Sequence, residues 1–185
     1  MTPDEVAAAQ RTLEGCQLHR GWIVGAYSQV EFLLGDLSLR AYELPAYAAL
    51  KKPISMGVDN RMKDLRAVLA LDGPMTPYRG LLETLLARLT RLERLRHFLS
   101  HGMLKYELAP EGVEFVCFRR YLPPEKKGVA KLVELVLRPH ELEELKDNWN
   151  QFASAFVKLS MNIYLDLDLE MRGPVAERLT YDGSF

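Results

Sequence analysis

Arg96, His97 and His101 are the residues whose types and spacing point to chemistry, within the stretch Leu95-Arg96-His97-Phe98-Leu99-Ser100-His101-Gly102. Arginine offers a permanently charged fork for a phosphate. Histidine moves a proton near neutral pH. On a helix, His97 and His101 are four apart and stack on one face, with Arg96 to one side. A helix that ends at Gly102 lets His101 turn back toward Arg96. Arginine with histidine, and no acidic or cysteine nucleophile nearby, suits a phosphodiester better than acyl transfer. Two other readings stand beside this one. Glu93, His97 and His101 line one helix face as metal ligands, although ligands from successive turns of one helix rarely converge on one ion. A cationic cluster near a helix C-terminus is also favourable without any function.

The element that must deliver these residues is a central helix over about 78–102. Leu81, Leu82, Leu85, Leu89, Leu92, Leu95 and Leu99 recur at spacings of one, three or four and form its buried stripe. Arg88, Arg91, Glu93 and Arg94 fall on the other face. Before it, Thr2-Pro3-Asp4-Glu5 reads as a capped start for a first helix to about residue 18. A second helix fits 22–42, with Trp22, Ile23, Ala26, Val30, Leu33, Leu34 and Leu37 apolar, and with Gly25 and Gly35 allowing close packing. Glu31 stands out there, close to the apolar face. Leu44-Pro45 ends it. A third helix fits 58–71, capped by Asp59 or Asn60. Lys51, Lys52, Arg61, Lys63 and Arg66 make this the most basic region. They read either as a guide for an RNA strand or as a solvated helix face.

After Gly102 the period changes to two. Alternation predicts strands over 104–108, 113–121 and 132–137, with turns at 109–112 and 122–128. These make a small antiparallel meander, inserted over about 104–137. Tyr106, Phe115, Phe118, Arg119, Arg120 and Tyr121 read as stacking or clamping groups for nucleotides, or as a cover over one face of the helices. Pro139 opens a last helix to about residue 171, with Leu142, Leu145, Trp149, Phe152, Phe156, Leu159 and Ile163 inward. A loose tail follows over about 173–185.

The totals bound the function. The 185 residues carry a net charge of -1, which argues against an extended nucleic-acid grip but not against a local pocket. The length fits one domain, 1–185. Cys16 and Cys117 are too few and too isolated for a disulfide scaffold or a structural zinc site. The N-terminus lacks the marks of a signal peptide, and no apolar run approaches the ~20 residues of a membrane span. Cytoplasm is the expected location, and no cofactor, metal or membrane partner is expected.

Arg96, His97 and the closing His101-Gly102 resemble the Arg-x4-to-6-His signature of HEPN domains. The resemblance covers the helices from about residue 22 to 102 and the last long helix, and its specificity rests mostly on seven residues. It implies an up-and-down helical bundle, usually dimeric, from which the β insertion departs. It implies a metal-independent endoribonuclease, in the manner of a toxin or defence protein. Arg96 would hold the scissile phosphate, His101 would move the proton, and His97 would orient either. Glu31, or second Ser28, would be the polar residue offered by an early helix, and Ser100 would support the motif. The alternative implied by the family is a non-catalytic module. Such a module binds nucleotide, RNA or a protein partner such as a nucleotidyltransferase. An antitoxin would be a further partner of a toxin.

Overall fold

The computed structural model describes residues 2–109, 112–123 and 129–174. Its chain runs α1 (Pro3–Ala41), a short 3-10 turn (Pro45–Leu50), α2 (Val58–Ala70), a second 3-10 turn (Thr76–Tyr78) and α3 (Arg79–His101). Then follow β1 (Met103–Ala109), β2 (Gly112–Leu122), β3 (Lys131–Leu137) and α4 (Pro139–Asp166). The protein is mainly helical with a small antiparallel sheet of order β1-β2-β3. No described helix is long and apolar enough to cross a membrane. The tail beyond residue 174, and parts of the turns expected at 109–112 and 122–128, lie outside the described residues.

The two helices expected over 2–18 and 22–42 are one continuous helix. Thr2 opens it with a capping box: Glu5 N–H donates to Thr2 Oγ1, and Thr2 N–H donates to Glu5 Oε2 at 2.6 Å. Gly15 and Gly21 do not break it. Each costs about 1 kcal/mol against alanine, and a continuous buried stripe of Cys16, Ile23, Tyr27 and Val30 outweighs that. Trp22, expected on this stripe, is 58% exposed. It neighbours Ile23 in sequence and therefore points about 100° away from it.

Two compact units divide the chain. The first comprises Met1–Phe32 and Gly80–Lys158. Its core is drawn from α1, α3, the sheet and α4 through Ile23, Val30, Leu82, Leu86, Leu89, Leu99, Phe118, Trp149, Phe152 and Phe156, all fully buried. Tyr27 meets Trp149 edge to face at 5.8 Å, and Trp149 meets Phe152 likewise at 5.7 Å. Leu81, expected on the inward stripe of α3, is 61% exposed, and Leu86 takes the inward place. In the sheet, Met103 pairs with Arg119, and Tyr121 with Leu132. Alternation puts Phe118 and Arg120 on the face toward the helices, where Arg120 lies over Phe98 and Arg20 over Phe118.

The second unit comprises Leu33–Arg79 and Leu159–Phe185. Gly35 serves close packing as expected: a Cβ there would meet Ile54 Cδ1 at 2.8 Å. Gly25 has nothing within 4 Å and serves no such contact. The cap of α2 is Gly57 at φ 76, with no side-chain hydrogen bond, in place of Asp59 or Asn60. Positive φ favours glycine over either. Helix α4 stops at Asp166, short of the expected residue 171. Asp168 takes a left-handed φ of 50 and Leu169 N–H reaches back to Tyr164 O at 2.9 Å, a Schellman closure made without glycine. Arg40 then donates to the carbonyls of Leu169, Glu170 and Arg172 and pairs with Asp36, which also accepts from Tyr164.

Candidate functional site

The inward stripe of α3 does not stay apolar to its end. It runs Leu82, Leu86, Leu89 and then Glu93, at helical spacing, and Arg96 follows three residues on. Glu93 is therefore buried, only 9% exposed, rather than lying on the polar face. A buried carboxylate requires partners. Its Oε1 accepts from Arg96 Nη2 at 2.5 Å and from Tyr27 Oη at 3.4 Å, and lies 3.1 Å from His97 Nε2. Its Oε2 is buried with no hydrogen-bond partner. The expected place of Glu93 on the polar face is corrected: the fold buries it against Arg96.

Arg96 is sandwiched. Its guanidinium carbon lies 4.2 Å from the centre of the Tyr27 ring, at cation–π distance. Nη1 lies 3.5 Å from His101 Nε2, and Nη2 lies 3.3 Å from His97 Nε2. His97 Nε2 cannot donate to Glu93 and accept from Arg96 at once, so its tautomer selects one of the two. Burial pushes the His97 pKa down, and the Arg96 charge adds to this, while Glu93 opposes it. A lowered value leaves a neutral imidazole, able to accept a proton, near pH 7. Burial first, and then Glu93, raises the Tyr27 hydroxyl well above its ordinary range, so it stays a donor.

The end of α3 is held from outside the motif. Arg20 Nε donates to Leu99 O at 2.5 Å and Nη2 to Gly102 O at 3.2 Å, satisfying carbonyls that the helix end leaves open. Gly102 N–H closes on Phe98 O at 2.7 Å. A Cβ on Gly102 would sit 2.3 Å from that same oxygen and 3.1 Å from Phe118 Cβ, so the chain leaves the helix here only as glycine. His101, exposed, then borders a cleft of about 420 Å³ formed with Met103, Arg119, Arg120, Tyr121 and Leu132.

The structure thus brings Arg96, His97 and His101 together. Ser100 is half-buried beside them. Ser28 is exposed and donates to Val24 O in its own helix. Glu31 is half-buried and acts on Tyr27 through its charge. Tyr27, one turn before Glu31, is the α1 residue that touches Arg96. Tyr27 and the buried place of Glu93 were both missed from the sequence; the signals that could have found them are the four- and three-residue spacings of Tyr27 from Ile23 and Val30, and the four-residue step from Leu89 to Glu93. Lys51, Lys52, Arg61 and Arg66 belong to the second unit. Lys51 pairs with Glu43 and Lys52 with Asp64, and Arg61 donates to Ser55 O. Among the described residues no three His, Cys, Asp or Glu side chains gather as a metal-ligand set, and the Glu93, His97 and His101 reading does not form one. Comparison with protein-family models, with curated proteins and with solved structures finds no match.

Proposed function

We propose that the protein is a metal-independent endoribonuclease, a HEPN-like helical bundle working as a homodimer that brings two copies of the motif to one RNA. The observation that carries this reading is the meeting of an arginine and two histidines, one of them exposed, at the end of α3. Arg96 Nη1, beside His101, faces the phosphate and stabilises the charge that grows on it. The RNA's 2′-hydroxyl attacks the phosphorus, and its proton passes to His101 or, through the motif, to neutral His97. The 5′-oxygen leaves with the proton returned by that imidazolium, and a 2′,3′-cyclic phosphate and a 5′-hydroxyl remain. Glu93 and Tyr27 hold the guanidinium in place throughout.

The test is cleavage of labelled RNA in EDTA by wild type and His101→Ala. Loss of about a hundredfold or more in the variant is expected. A dimer of His101→Ala that cuts as fast as wild type overturns the reading. The burial of Arg96, whose side chain is 12% exposed and already balanced by Glu93, favours a second reading. In it the same motif binds RNA, a nucleotide or a protein partner such as a nucleotidyltransferase or an antitoxin, without cutting. RNA that stays intact with wild type selects it.

A further inference from the structure

The outer face of the sheet carries an unusual group of side chains next to the motif. Tyr121 on β2 is 70% exposed, although strand aromatics gain most by burial. Its cross-strand neighbour Leu132 and the nearby Met103 are 45% and 58% exposed. Arg119 stands two residues before Tyr121 on the same face and pairs with Glu134, which orients its guanidinium. Arg120, on the opposite face with its guanidinium over Phe98, also lines this cleft and lies close enough to His97 to act on its charge. The cleft's volume, about 420 Å³, falls in the range of small-ligand sites, roughly 300–1,000 Å³. His101 forms part of its wall, and His101 Nε2 is 3.5 Å from Arg96.

The geometry points to a nucleobase subsite: the cleft takes one unpaired base of single-stranded RNA, stacked on Tyr121, and so sets the adjoining phosphate against His101 and Arg96. This rests on the ribonuclease reading for the identity of the phosphate site, and adds to it a positioning residue outside the motif. An aromatic plane with the Arg119 guanidinium on its own face and thioether and aliphatic walls beside it fits an unstacked base. Because the base is read by its face, Tyr121 sets register and affinity without a sequence preference of its own.

The experiment measures binding, apart from cleavage. A short fluorescent RNA with 2′-O-methyl riboses has no nucleophilic hydroxyl and is titrated with the full chain, wild type, Tyr121→Ala and Tyr121→Phe. Loss of one stacked base predicts about tenfold weaker binding for Tyr121→Ala. Tyr121→Phe, which keeps the ring, is expected within about twofold of wild type. The proposal fails if Tyr121→Ala binds as wild type does, or if wild type does not bind the oligonucleotide. It fails alone, leaving the ribonuclease reading intact, if Tyr121→Ala binds the oligonucleotide as wild type does while both cut ordinary RNA. Tyr121-dependent binding with no cleavage of ordinary RNA would keep the base subsite and remove the nuclease. Circular dichroism of each variant excludes a folding loss, which the exposure of Tyr121 makes small.

Discussion

Removing Glu93 would strand the Arg96 guanidinium, whose side chain is only 12% exposed. Breaking one side of such a pair leaves a buried charge, and Glu93→Ala is expected to cost about 3 kcal/mol in urea unfolding. Glu93→Leu with Arg96→Leu removes both charges and should be less destabilised than either single leucine variant. A double variant as unstable as the sum of the singles would show that the two side chains do not act as a pair. The same coupling makes Arg96→Ala a poor probe of chemistry, because it also disturbs folding. His101 is exposed and gives the cleaner variant. His97 makes stability depend on pH. Its folded value lies below the ordinary 6.5, so the unfolded chain takes up the proton first. Stability is therefore full above the ordinary 6.5, falls as pH drops from there toward the lowered folded value, and levels off below it. The loss between about pH 7.5 and about pH 5.5 should be smaller in His97→Gln, and the effect is modest, since the His97 side chain is 42% exposed. Equal losses in both proteins would assign the acid sensitivity elsewhere.

Two glycines, one within a helix and one just past a helix end, make opposite demands on their elements. Gly15 lies within α1 with nothing within 4 Å of a Cβ, so Gly15→Ala should stabilise by about 0.5–1 kcal/mol through helix propensity. Gly102 closes α3 against Phe98 O and Phe118, and Gly102→Ala should cost about 1–3 kcal/mol by overpacking. Paired thermal melts read both, and two shifts of the same sign would contradict this account of the helix end. The displaced exit would also carry His101 away from Arg96, so on the ribonuclease reading Gly102→Ala should lose RNA cleavage even where it remains folded. Periodicity located these elements well. The strand starts and ends agree with alternation to within about a residue, because the period-2 pattern is local. The joined α1 and the early stop of α4 were not legible: one depends on burial across many turns, the other on an aspartate accepting a left-handed backbone.

At the scale of the whole molecule, the ribonuclease reading requires two motifs. Light scattering of the active protein should give twice the 21.1 kDa mass of one chain, and specific activity should fall on dilution as dimers separate. Full activity from a monomer would remove the dimer from the mechanism. Sequence alone singled out Arg96, His97 and His101 as candidates for chemistry. It also settled that a helix delivers Arg96, His97 and His101, that a glycine follows, and that a meander comes next. These follow from side-chain type and from the fixed periods of helix and strand, which need no long-range information. The setting of the motif came from tertiary packing. Glu93 reads as a surface acid until the Leu82, Leu86 and Leu89 face is packed inward; then it has no solvent and must take Arg96 as its partner. Tyr27, 69 positions before Arg96 in the chain, becomes its neighbour only when α1 lies against α3. Burial turns a row of charges into a network, and burial is a property of what lies opposite.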